Sequence, residues 1–266
     1  MNYYRLISSM SKTPSIVWDA DALTFISNAS ITNDTQKIAV NTLVTDLKSA
    51  SIWTKMIALY PMVGGTASQH RFNLKDPRAL DAAYYLTFYN GWTHSATGAK
   101  PNGTDGYADT KLNASTVIPA FNHLSYYSRT NISEVKVEMG AYDVSVVKNI
   151  SLGVARDYGS GGLGGALIAF TSTTDSRGFW VGTRRTHSDR EGYKNGTSEN
   201  TVTVSDPTEN PNKTITLGAR NENSGANYFS SKECALASIG PALTDAEAAA
   251  FYTAVQKFNT TLNRQI

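Results

Sequence analysis

Apolar residues recur at a helical spacing over about the first 75 positions, and beyond that point they gather into short runs rich in β-branched and aromatic side chains. In "DADALTFISNA", Asp19 or Asp21 stands where a helix cap is needed, and Leu23, Phe25 and Ile26 fall near one side. "ITNDTQKIAVNTLVTDLKSASIW" sets Ile38, Leu43, Val44 and Leu47 on a shared face behind Thr32 or Asn33, which predicts a second helix. "IWTKMIALYPMVGGTA" then reads as extended chain that Pro61 and the Gly64-Gly65 pair bring to an end.

From about Lys75 the runs "AAYYLTFY", "HLSYYSRT", "EVKVEMGAY", "GALIAFT", "GFWVGTR", "NTVTVS" and "KTITLGAR" read as strands, each bounded by Gly, Asn, Asp or Pro. Short strands in regular succession predict a β-sandwich. Asn195-Gly196 lies between two such runs and suits a two-residue hairpin, because both positions tolerate positive φ. The glycines of "DYGSGGLGGAL" predict a flexible loop at Ser160 to Gly165. No fixed-period repeat is present. The chain closes on an amphipathic helix: Thr244 as N-cap, Glu247 completing a capping box, then Ala248, Phe251, Tyr252, Val255 and Phe258 at helical spacing.

Composition narrows the function classes. With 24 basic and 22 acidic residues, a formal charge of +2 and no Lys/Arg block, the chain offers no electrostatic footprint for nucleic acid. Neither the opening "MNYYRLISSMSKTPSIVWDAD" nor any later stretch has the apolar run of a signal peptide or membrane span, so no membrane insertion and synthesis without export are expected. Cys234 is the single cysteine, which rules out an intrachain disulfide and reads as a small buried hydrophobe. The sequons at Asn102, Asn131, Asn149 and Asn195 are expected to stay unmodified.

The ending "ITLGARNENSGANYFSSKECALASIGPALTDAEAAAFYTAVQKF" resembles that of concanavalin A-like modules of the laminin-G type, in which a strand carrying Leu-Gly-Ala precedes a last strand and a terminal helix. "GYKNGTSENTVTV" is similar to the hairpin of the same modules, although the glycine they often place before the last strand is Ser231 here. The resemblance covers roughly residues 80 to 266 and implies a mainly β fold. That fold is a concanavalin A-like jelly-roll sandwich with a short N-terminal helical segment and a C-terminal capping helix. Residues 1–75 then form a helical attachment segment and 76–266 the sandwich, its terminal helix spanning 244–260. Phrasing from "IAVNTLVTDLKSASIWTKMIALYPMVGGTA" through "GGALIAFTSTTDSRGFW" also resembles laminin-G-like proteins of tailed bacteriophages, associated with tail, fibre or baseplate.

Candidate chemistry is sparse. Glucanases of this fold place three carboxylates as E-x-D-x-x-E on one strand, and the chain lacks that motif. Its nearest approach is "SEVKVEMGAYD", where Glu134 and Glu138 share strand parity and Asp143 follows; solvated strand faces are the expectation. His70, His94, His123 and His187 stand in no zinc spacing and read as surface or loop residues. "SGGLGG" lacks the lysine of a phosphate loop. Calcium is what the resemblance leaves open, with Asp105 and Asp109 of "NGTDGYADT" as ligands or as ordinary turn residues.

A sugar site needs an aromatic face and planar polar groups. Trp92, Tyr107, Tyr158, Arg184 and Asn221 are the candidates, with Trp92 and Tyr107 expected in loops and Trp180 expected in the core. The resemblance therefore implies a non-enzymatic virion protein, made in the host cytoplasm, that contacts other virion proteins and a host surface glycan. A homo-oligomer, trimeric as in fibres, goes with it. The alternatives are a free carbohydrate-binding module or a glycoside hydrolase.

Overall fold

The computed structural model describes residues 16–154, 159–163, 166–170 and 174–266, with 159–163 and 166–169 described by their backbone alone. Among the described residues the helices are α1 (Ala20–Asn28), α2 (Asp34–Ser49), the single turns α3 (Ala67–His70) and α4 (Ala114–Val117), and α5 (Asp245–Thr261). The strands are β1 (Ala58–Tyr60), β2 (Thr87–Tyr89), β3 (Trp92–Ser95), β4 (Gly98–Pro101), β5 (Tyr107–Asn113), β6 (Asn122–Ser128), β7 (Met139–Asp143), β8 (Lys148–Gly153) and β9 (Gly159–Leu163). They continue with β10 (Ala166–Phe170), β11 (Gly178–Thr186), β12 (Asp189–Lys194), β13 (Thr197–Val202), β14 (Thr214–Leu217), β15 (Arg220–Glu222), β16 (Gly225–Asn227) and β17 (Cys234–Pro241).

Two antiparallel sheets face each other as a jelly-roll sandwich. One runs β13-β12-β11-β6-β17-β4-β3 with β1 against β17, the other β10-β9-β8-β7-β14-β5-β2 with the β15–β16 hairpin against β7. Side-chain parity assigns the layers. On β6, Leu124 and Tyr126 point between the sheets while Tyr127 points outward, and on β11 Trp180 points in while Phe179 and Val181 point out. Trp180 is core, as its strand context predicts.

The outward residues of the middle strands of the first sheet, β6, β11 and β17, are buried because α1, α2 and α5 cover them. Phe25, Leu43, Leu47, Phe251, Val255 and Phe258 join Tyr127, Phe179 and Leu236 in one cluster, separate from the inter-sheet core. A sheet covered on both faces reads as apolar runs rather than alternation, which is why "HLSYYS" is buried throughout. β5, with its outer face open, alternates instead: Ala108, Thr110 and Leu112 are buried, and their neighbours are half-buried.

The local signals act as expected. Asp19 caps α1 and Asn33 caps α2 by accepting the Asp21 and Gln36 amides. The α5 capping box closes, with the Glu247 carboxylate accepting the Thr244 amide at 2.8 Å. Asn195 and Gly196 take φ of 50° and 74° and join β12 to β13.

Elsewhere long-range packing overrides the sequence reading. The glycine run expected as a loop at Ser160 to Gly165 pairs, over Gly159–Leu163, with β8 and β10; two ladders outweigh glycine's poor strand propensity. Gly164 and Gly165 lie outside the described residues. "AAYYLTFY" is a 3-10 turn at Asp81–Ala83 followed by β2, and "EVKVEMGAY" is strand only from Met139. Two of the histidines expected at the surface are buried. His123 is satisfied there: its Nδ1 donates to the Pro241 carbonyl at 2.7 Å, so Nε2 accepts from the Ser238 hydroxyl at 2.9 Å. His70 accepts the Gly65 amide on Nε2, so its Nδ1 donates to Nδ1 of His94 at 2.9 Å.

Candidate functional site

A cavity of about 450 Å³ opens where β5 runs into α4, beside the β7–β8 turn and the 203–213 loop. Three elements build it. Asn113 ends β5 and caps α4 by accepting from the Ser115 amide at 3.0 Å. Its own amide donates to Oδ1 of Asn212 at 2.9 Å, joining the α4 wall to the loop wall. Asn210, buried, brings its Nδ2 within 3.1–3.3 Å of the Ala114, Ile118 and Pro119 carbonyl oxygens.

The rest of the loop hangs on two buried arginines. Arg184 of β11 donates to the Thr208 carbonyl at 2.7 Å and to that of Asp206. Arg190 of β12 donates to the Val204 carbonyl and to the Asp206 carboxylate at 3.2 Å. Loop carbonyls without a regular ladder need such donors.

The third wall is the β7–β8 turn. Asp143 accepts from the Ser145 amide and hydroxyl and from Nδ2 of Asn223 at 3.1 Å. These hydrogen bonds hold its carboxyl below the usual range, so it is ionised at neutral pH. Lys148 reaches Glu209 across the opening at 3.3 Å.

The lining is chemically mixed. Asp143, Glu209 and Asn212 offer planar acceptors, Ser115 and Thr116 hydroxyls, and Lys148 a donor, while Ile118, Ala120 and Val146 are apolar. Planar polar groups interleaved with small apolar patches suit a ligand that carries many hydroxyls on a carbon ring.

The residues singled out from the sequence lie elsewhere. Arg184, a candidate for sugar contact, is fully buried and shapes the cavity from behind. Trp92 is in β3 rather than a loop, edge-on to Phe88 at 5.1 Å, with its ring against Gly218 where a Cβ would come within 2.8 Å. Asn221 turns back to the Thr214 carbonyl at 2.9 Å.

Tyr107 opens β5 rather than standing in a loop; it stacks on Tyr89 at 4.8 Å and 14° and faces outward with Asp109 and Lys111. Six residues of strand, about 20 Å, separate it from the cavity. Asp109 is held by Lys111 at 3.1 Å and Asp105 by Asn102 at 2.7 Å. Among the described residues no group of three or more His, Cys, Asp or Glu side chains is placed to hold a metal ion. Tyr158 lies outside the described residues.

Glu134 and Glu138 do not stand on a solvated strand face. The stretch before Met139 is irregular and folds against Ser230–Lys232, where both carboxylates accept from Lys232 Nζ at 3.1 Å. Glu138 and Lys232 are fully buried, and Glu138 also accepts from the Val154 amide and the Ser230 hydroxyl. Ser231, at the position where a glycine was expected, donates its amide and hydroxyl to Glu134. Burial raises the Glu138 carboxyl; the Glu134 carboxyl is lowered, its burial outweighed by Ser231 and the Lys232 charge. A fully enclosed carboxylate with every acceptor occupied is an internal tie between β7 and β17.

No protein-family model matches the chain, and no curated protein matches it in sequence. Solved structures do match its fold. The binding domain of botulinum neurotoxin DC, in complex with rat synaptotagmin II, aligns with a TM-score of 0.53 at 13% identity, over 77% of this chain and 53% of that one. A structure of botulinum neurotoxin type C, whose cell entry is described as dependent on interaction with two ganglioside molecules, gives 0.52 at 12% identity over 78% and 53%. The serotype D binding domain gives 0.50 at 11% identity over 77% and 52%. The chain thus spans about half the length of these structures and shares their β-sandwich. Among the described residues no helix is long and apolar enough to cross a membrane.

Proposed function

We propose that the chain is a non-catalytic, lectin-like binding protein whose cavity at the β7–β8 turn holds one or two sugar rings of a larger glycan. The observation that carries this is the cavity itself: about 450 Å³, with Asp143, Glu209 and Asn212 as planar polar groups beside Ile118 and Val146. The sandwich of the botulinum domains lends support, since type C toxin is described as interacting with gangliosides. The Glu134–Lys232–Glu138 tie favours binding over hydrolysis, because a carboxyl pair that cleaves a glycoside must reach the anomeric carbon and the leaving oxygen, and the Glu138 carboxylate is fully enclosed and paired with Lys232.

The narrower proposal, a tail, fibre or baseplate protein of a tailed phage, rests on the sequence resemblance. In it, the sandwich presents the cavity to a host surface polysaccharide, and α1 and α2 belong to a segment used in attachment or assembly with other virion proteins. The virion is then its location and a homo-oligomer its state, with calcium dispensable. The test is titration of the purified protein with bacterial surface polysaccharides, with and without calcium, while reducing ends are assayed. Saturable binding without sugar release, weakened at least tenfold by Asn212→Ala, is expected. Release of reducing ends, or binding untouched by Asn212→Ala, overturns the proposal.

A further inference from the structure

The turn that forms one wall of the cavity is apolar where a turn is ordinarily polar. Val144, Val146 and Val147 are 49%, 55% and 63% exposed, three large aliphatic side chains within four residues. Val147 sits at φ 55°, the left-handed region, where a β-branched residue is strongly disfavoured and glycine or asparagine is the usual occupant. The turn is nonetheless firmly held. Asp143 accepts from Ser145, and Asn223 of the β15–β16 hairpin accepts the Val144 amide at 3.3 Å while donating to Asp143. The left-handed residue closes the four-residue reversal between Asp143 and Lys148, but the exposure of three valines on it adds nothing to either core cluster.

We propose, resting on the glycan reading of the cavity, that this turn is the apolar half of one site and that the ligand is a glycan carrying an alkyl or acyl substituent next to the bound sugar. Val146 belongs to both halves: it lines the cavity and stands in the exposed turn. The patch is a single turn, far short of the roughly 800 Å² per partner that a stable protein interface buries, so its occupant is a short chain rather than a protein face. The sugar hydroxyls meet Asp143, Glu209 and Asn212, and the substituent leaves the cavity across Val146 onto Val144 and Val147.

The test compares free glucose, galactose and N-acetylglucosamine with their hexyl β-glycosides, below micelle-forming concentration, by calorimetric titration. The wild type is set beside Val144→Ser/Val147→Asn, which leaves the cavity lining unchanged; Val144→Ser serves if the double variant loses its cooperative melt. For the sugar that binds, the hexyl glycoside should bind about tenfold tighter to the wild type. In the variant that gain should fall below about twofold, with affinity for the free sugar unchanged. Equal affinity for free and hexyl sugar, or a gain that survives in the variant, overturns this proposal and leaves the glycan reading intact. Binding of neither form to the wild type at millimolar concentration overturns this proposal, and the glycan reading falls with it if bacterial surface polysaccharides also fail to bind.

Discussion

Arg184 donates to the carbonyl oxygen of Thr208 at 2.7 Å, so a side chain from the first sheet fixes the loop that walls the cavity. A lysine there keeps the charge but cannot span the Asp206 and Thr208 carbonyls with a planar fork. Arg184→Lys is predicted to raise hydrogen exchange in 204–209 and to weaken glycan binding at least tenfold. Unchanged exchange in that loop contradicts this role.

The buried Lys232 predicts an asymmetry. Lys232→Met strands the fully enclosed Glu138 carboxylate and should cost about 3–5 kcal/mol. Adding Glu138→Gln removes the stranded charge and should recover a large part of that loss. Denaturant unfolding of the two variants measures both numbers; a double variant no more stable than Lys232→Met goes against the tie.

Acid should weaken the fold before most carboxylates titrate. Burial brings His123 down to about 4 from 6.5, and burial, with the nearby His94 and Arg264, brings His70 to about 3. Lowered values mean the unfolded chain binds more protons, so this stability is complete above pH 6.5 and is lost as pH falls through about 4 for His123 and about 3 for His70. His94, also lowered by burial, acts in the same sense, and Glu138, raised by burial, opposes it. The urea midpoint should fall between pH 7 and 4.5, and a flat profile there counts against the buried neutral imidazoles.

Gly240 of β17 lies so close to the segment after α2 that an added Cβ would meet the Lys55 carbonyl oxygen at 1.9 Å. Backbone cannot yield as a side-chain tip can. Gly240→Ala should therefore destabilise by about 3 kcal/mol or more. A thermal midpoint within 2–3 °C of wild type is the contrary result.

What could be read in the sequence was what neighbouring residues decide. Thr244 and Glu247 announce α5, Asn195-Gly196 its hairpin, and Leu43, Val44 and Leu47 the buried face of α2, because caps, turns and periodicity act within a few positions. The cavity had no such signal. Ser115, Asp143 and Asn212 come from separate segments, and the polar, proline-containing loop 203–213 has no period to follow. Arg184 and Glu138 misled for a related reason: charged residues on strands read as exposed, and the acceptors and the cation that permit their burial lie about 20 and 90 residues away.

The most direct test is to titrate the ¹⁵N-labelled protein with its tightest-binding glycan and map the backbone amides that shift. The account predicts shifts at Ser115–Ala120, Asp143–Lys148 and Glu209–Asn212. Shifts centred on Tyr89 and Tyr107, at the far end of β5, would contradict it and move the site to the aromatic stack.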